Sequence, residues 1–284
     1  MAKNFSMIIP AYKEERRPVR LLETVEESKL GEYEPEEIFV VVCGNVEPVK
    51  DFSEETELPV RIIEEEERQG KAAAINTALG AVESERVVLS SADILLQENT
   101  LRELLKGLEE DKVGIITAHP VSMDSSDSFR GYFNNLIWNL HHYVSKKDPK
   151  AGEIIAFENV IETLPENTAA DEEFIKSKIL DKGYESRYSE KAVIYNRGPE
   201  NVARLFDQRW RIFIGHLDLE NRTNYSPSSM RTGTLMKSVL EYLKENGPHP
   251  YILLSMLLEL SARSNAWISY KLLRRNPYIW DKGC

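Results

Sequence analysis

The chain has 284 residues, 42% of them hydrophobic, with a formal net charge of −11. That length buries a sizeable core as one large domain or as one domain with appended helices, and the acidic balance argues against a nucleic-acid partner, which requires a basic footprint. Two cysteines, Cys43 in an apolar run and Cys284 at the end, imply no disulfide framework and fit a reducing cytosol.

In chain order, "MAKNFSMIIPAYKEE" lacks the long apolar stretch of a secretory signal. Short β-type runs follow at Phe5–Ile9, Ile38–Val42, Val60–Ile63, Arg86–Leu89 and Val113–Thr117. They alternate with helical patterns at Val19–Lys29, Lys71–Val82 and Thr100–Glu110. In the last of these Leu101, Leu104, Leu105 and Leu108 recur at i, i+3, i+4, i+7 and share one face. This alternation predicts βαβ units and a mostly parallel sheet covered on both sides. Ligands of such sheets sit beyond the carboxyl ends of the strands, where Pro10–Glu14, Cys43–Asn45 and Ser91–Asp93 fall.

The stretch from 129 to 144 carries an apolar helical stripe, read as core packing. His141 and His142 at its margin project about 100° apart and are poorly placed to share an ion. "AGEIIAFEN" (151–159) reads as a strand. "LPENTAADEEFIKSKILDKGY" (164–184) reads as a helix capped by Thr168 or Asp171. The segment Tyr251–Leu260, "YILLSMLLEL", is about half the roughly 20 residues that a membrane span needs.

Taken in order, these pieces resemble the family 2 glycosyltransferases, inverting enzymes of the GT-A fold that use nucleotide-sugar donors. The resemblance rests on "SMIIPAYKEE", "RQGKAAAINTALGAV" (68–82), "SSADILL" at the Asp-x-Asp site, "AGEIIAF", "AADEEFIKSKILDKGYESRYSEKAVIY" and "QRWRIFIGHL" (208–217), spanning about 5 to 217. Each motif is weak alone; their order and spacing carry the weight.

The resemblance implies a catalytic domain over 1–225, its donor half about 1–118 and its acceptor half about 119–225. A helical extension follows over 226–284. It implies Asp171 as catalytic base with Glu172 as second choice. Pro10, Ala11, Tyr12, Glu14, Asn45, Gly70, Lys71, Asn76, Ser91, Ala92 and Asp93 fall on the donor side. Gly152, Glu153, Gln208, Arg209 and Arg211 fall toward the diphosphate or acceptor. Asp93, with His216, would bind Mg²⁺ or Mn²⁺, cations that take oxygen ligands readily. The chemistry gives these residues a reason. Cleaving the sugar–diphosphate bond builds negative charge on the leaving group, and a base must take the proton of the incoming hydroxyl.

Three departures from the family pattern stand out. Cys43 occupies the strand end where a base-recognising carboxylate is usual, so either Asn45 substitutes or the donor is not a uridine nucleotide. Ser91 replaces the first Asp of Asp-x-Asp. Ile212 stands where processive synthases carry Trp, favouring addition of one or a few sugars. The implied partners are a UDP- or GDP-linked donor and a glycan or lipid-linked acceptor. Segment 251–280 mixes apolar, aromatic and basic residues, as at a membrane interface. Docking on the cytoplasmic leaflet, packing on the catalytic domain and a homodimer contact are its three readings, all with a cytoplasmic location. The rival from another class is a non-catalytic nucleotide-sugar-binding or scaffold protein on the same fold.

Overall fold

The computed structural model describes residues 3–13 and 16–276. Its first half alternates β1 (Lys3–Tyr12), α1 (Arg17–Glu26), β2 (Tyr33–Cys43), α2 (Glu47–Glu55), β3 (Val60–Glu64), α3 (Lys71–Leu79) and β4 (Arg86–Ser90). There follow β5 (Ile94–Leu96), α4 (Thr100–Gly107), β6 (Val113–Ser122), α5 (Phe129–Ser145), β7 (Ile154–Glu158), α6 (Asp171–Asp181) and β8 (Glu185–Asn196). Three helices, α7 (Val202–Arg222), α8 (Thr232–Asn246) and α9 (Ile252–Lys271), close the described chain.

The strands form one sheet in the order β3-β2-β1-β4-β7-β6-β8-β5. The pairs β1–β2, β1–β4, β2–β3 and β6–β8 are parallel, as the βαβ pattern leads one to expect. β7 runs antiparallel to both its neighbours and β5 antiparallel to β8, so the sheet is mixed. β5 and α2, which the periodicity alone did not disclose, are short elements of three and nine residues.

Both sheet faces are buried. Ile8 and Ile9, adjacent on β1, are each fully shielded because one faces α3 and α6 while the other faces α1, α2 and α4. Leu101, Leu104 and Leu105 of α4 are likewise fully buried, each worth about 1.5–3 kcal/mol relative to exposure. The helices differ from the sequence pattern at their ends. Pro18 is accommodated in the first turn of α1, where its missing N–H is no loss. α3 stops at Leu79, with Gly80 as its C-cap. α6 starts on Asp171, after the cap residue Ala170; Thr168 contributes by accepting the Ala170 N–H at 3.2 Å.

α8 packs on α5 through Tyr242, and α9 packs on α7. The inner face of α9 is small, with Ser255, Ala262, Ala266 and Ser269 buried, which lets the two helix backbones approach. Its outer face leaves Leu253 70%, Leu257 62% and Leu260 58% exposed, and on α8 Met236 and Leu240 are exposed as well. Among the described residues no helix is long and apolar enough to cross a membrane.

Candidate active site

Reversal of β7 assembles the site. Because β7 runs against β4, its first residue, Ile154, pairs with Ser90 at the carboxyl end of β4. Gly152 and Glu153 therefore arrive beside Ser91-Ala92-Asp93, and the Ser91 N–H donates to the Glu153 carbonyl at 2.7 Å. Glu153 has φ 56°, a left-handed conformation that costs a non-glycine residue about 1–3 kcal/mol and is held here by its surroundings. Asp93 is exposed, its carboxylate 3.6 Å from Arg17, whereas Ala92 points into the core. Burial, then the charges of Asp93 and Glu172, push the Glu153 carboxyl up to about 7.

Two helix N-termini face each other at this edge. Gly70 caps α3 with φ 112°, a conformation that L side chains rarely adopt, and α3 then begins with Lys71. Lys71 Nζ lies 3.0 Å from Asp171 Oδ2 and also bonds Glu172, the first two residues of α6. Carboxylates there gain from the helix dipole as well as from the lysine. Burial pulls the Lys71 ammonium down, but the two carboxylates more than offset it and its proton is held more tightly than in a free lysine. Burial raises the Asp171 carboxyl despite Lys71, while for Glu172 the lysine wins over burial and the carboxyl is lowered. The pair is therefore unequal, with Asp171 the better proton acceptor. Glu173, next in α6, supports the loop before β7. One of its oxygens accepts the Ala151 N–H at 3.1 Å and the other the Tyr225 hydroxyl at 2.7 Å.

The other expected residues divide into two groups. Near the pair, Arg211 is half-buried on α7, and burial followed by the opposing pull of Asp171 governs its guanidinium. Gln208, three residues before it, shares that helix face. Elsewhere, Arg209 is committed to α9, with Nε and Nη2 2.8 and 2.9 Å from the two Glu259 oxygens. Asn76 spends both ends of its amide on the Leu164 backbone, at 2.7 and 2.8 Å, and so fastens the loop before α6 to α3. His216 is buried, its Nδ1 3.4 Å from Ser229, and burial together with Lys150 and Arg209 holds its imidazole well below the usual range.

Among the described residues no three His, Cys, Asp or Glu side chains group as a metal site. A metal bound through one carboxylate and substrate phosphates needs no such group. Asp93, exposed at the edge and raising the proton affinity of Glu153, fits that arrangement.

At the outer end of the edge Tyr12 lies under the Arg68 guanidinium, 3.7 Å from its ring centre. Pro10 is half-buried and Ala11 is part of the core. Asn45 accepts the Glu47 N–H at 3.2 Å and so belongs to the turn into α2. Cys43 is buried, its thiol pushed up by burial and by Glu65 beside it. Glu65 sits in the acidic run Glu64–Glu67. Its one sequence signal is its place immediately after a strand. Glu14 lies outside the described residues, as do Tyr278, Trp280 and Cys284.

The fold and this strand-end site define a nucleotide-sugar transferase scaffold. The family described as Glycosyltransferase like family 2 matches residues 2–151, and the chain belongs to it. Similar solved structures include the mannosyltransferase PcManGT of Pyrobaculum calidifontis in complex with GDP-Man and Mn²⁺. That structure aligns with TM-score 0.68 at 19% identity, covering 97% of this chain and 89% of that one. TarS 1-349 of S. aureus aligns with TM-score 0.52 at 15% identity over 94% of this chain and 81% of its own. TarS 1-349 in complex with UDP-GlcNAc gives TM-score 0.51 at 13% identity, with coverages of 95% and 92%. At these identities the likeness is one of fold. No curated protein sequence matches the chain.

Proposed function

We propose that this glycosyltransferase moves a sugar from a nucleoside-diphosphate sugar to a hydroxyl acceptor with inversion, using Asp171 as general base. The carrying observation is the buried Asp171, held at the start of α6 by Lys71 with its carboxyl raised. A carboxyl whose proton affinity is raised is a stronger base toward the incoming hydroxyl. It takes the acceptor hydroxyl proton as that oxygen bonds to the anomeric carbon. The bond from carbon to the phosphate oxygen breaks on the opposite side, and the nucleoside diphosphate leaves with the electron pair.

Lys71 at the N-terminus of α3 and Arg211 on α7 supply positive charge around the leaving group, and the α3 N-terminus adds its dipole. Asp93 would hold Mg²⁺ or Mn²⁺, which supplies charge neutralisation to the diphosphate. Mn²⁺ in the PcManGT complex supports this choice. Arg209 and Asn76 act as positioning residues, one fixing α7 to α9 and the other fixing the loop that leads into Asp171. The exposed leucines on the outer face of α9 support a lipid-linked acceptor and a site of action at a membrane surface.

The test is Asp171→Asn. Turnover is expected to fall about 10²–10⁴-fold with donor affinity retained. Retained turnover would remove Asp171 from the mechanism, and no turnover in the parent protein with any donor would favour a binding role. Asp93→Asn tests the metal: a thermal shift given by Mn²⁺ and donor together is expected to disappear.

A further inference from the structure

Three adjacent strands end in register at the outer part of the site. Tyr12 on β1 pairs with Cys43 on β2, and Val42 pairs with Glu64 on β3. The Glu65 N–H continues that ladder by donating to the Val42 carbonyl at 2.9 Å. Side chains alternate along each strand, and the core assigns the faces. Ala11, Val42 and Ile62 pack on the side of α1 and α2, whereas Val41 and Ile63 pack on the side of α3. Tyr12 and Cys43, one step from the former set, and Glu65, three steps from Ile62, therefore lie on the α3 side. Glu64 takes the other face, where it meets Lys50 of α2 at 3.8 Å. The result is a short row comprising an aromatic ring under a guanidinium, a small thiol and a half-buried carboxylate.

We propose that Glu65 reads the base of the donor and selects guanine, a reading that rests on the nucleotide-sugar site proposed above. Cys43 hydrogen-bonds only weakly. A carboxylate offers two acceptors side by side. Guanine presents two adjacent donors, N1–H and the N2 amino group, and matches both. Uracil presents one donor, N3–H, between two carbonyl oxygens that repel the second carboxylate oxygen. Adenine sets a ring-nitrogen acceptor beside its amino group. Tyr12 and Arg68 supply flat surfaces for the base, which stacks without regard to its identity.

The experiment measures GDP and UDP affinity by calorimetry, with Mg²⁺, on the parent protein, Glu65→Gln and Glu65→Ala. The parent is expected to prefer GDP by roughly tenfold or more, the discrimination typical of one bidentate pair. Glu65→Gln exchanges one acceptor for a donor, which suits N3–H and a neighbouring carbonyl of uracil. It is expected to strengthen UDP and narrow the preference, since N1–H and O6 of guanine can pair with the same amide, while Glu65→Ala weakens GDP and leaves little preference. A parent that prefers UDP, or a ratio unchanged in both folded variants, overturns the proposal and leaves the site intact. Failure of both nucleotides to bind the parent overturns the site reading itself, and this inference with it.

Discussion

Lys71 Nζ stands 3.0 Å from Asp171 Oδ2, so the first residue of α3 neutralises the first residue of α6 across the strand-end edge. Replacing Lys71 by Met leaves Asp171 and Glu172 adjacent, largely buried and without their cation. Removing one partner of a buried pair costs about 3–5 kcal/mol; Lys71 is one-third exposed, and the expected loss is about 1–3 kcal/mol. Urea unfolding measures it. The proton affinity of Asp171 should also rise, moving the acid limb of kcat/KM to higher pH than in the parent. An unchanged limb would show that Lys71 does not set the charge state of Asp171.

Glu153 makes stability depend on pH near neutrality. Its carboxyl sits at about 7 in the folded chain and near the ordinary value of about 4.3 when unfolded. Between those values the folded state keeps a proton that the unfolded state releases, so this group's contribution to stability declines as pH rises through the window. Glu153→Gln removes the decline. In EDTA, its melting temperature is expected to exceed the parent's at pH 8 and to approach it at pH 5. Parallel curves for the two proteins would refute the assignment.

The Arg209–Glu259 pair ties α9 to the helix that carries Arg211. Burial opposes ionisation of Glu259, but Arg209 and then Arg263 bring its carboxyl down to about 2. Its contribution is therefore present above pH of about 4.3 and is lost as pH falls toward 2. Glu259→Ala should cost about 3–5 kcal/mol by stranding the Arg209 guanidinium. Replacing both residues with Met should cost less than the two single changes summed. Additive losses in denaturant unfolding would mean that the two side chains are not coupled.

The outer strip of α9 is testable by flotation with anionic vesicles. The parent protein is expected to float with the lipid, and Leu257→Lys with Leu260→Lys to remain below. Equal recovery of the parent in the soluble fraction with and without vesicles would sink the membrane reading. Sedimentation then examines the homodimer alternative, which requires a dimer that the double variant dissociates.

How far the sequence reaches is clearest at Lys71, Asp93 and Asp171. Asp93 follows a strand that hydrophobic periodicity marks, whereas Lys71 and Asp171 are tied to the same site in the sequence only by the resemblance of motif order. Local pattern also located most of the strands and helices of the sheet, because burial on both faces demands continuous apolar runs at Ile38–Val42 and Val87–Leu89. Contacts between distant segments were not legible. Arg209 and Asn76 carry side chains suited to a ligand, yet one is taken up by a glutamate 50 residues away and the other by a backbone 88 residues away. Glu65 looks like one solvated acid among four until strand register sets it beside Cys43. The reversal of β7 likewise decides that Glu153 reaches Asp93. Sequence determines which segments can be strands or helices, since that depends on neighbours along the chain. Only the tertiary structure decides which polar side chains remain available for chemistry, since that depends on which partners packing brings within 3 or 4 Å.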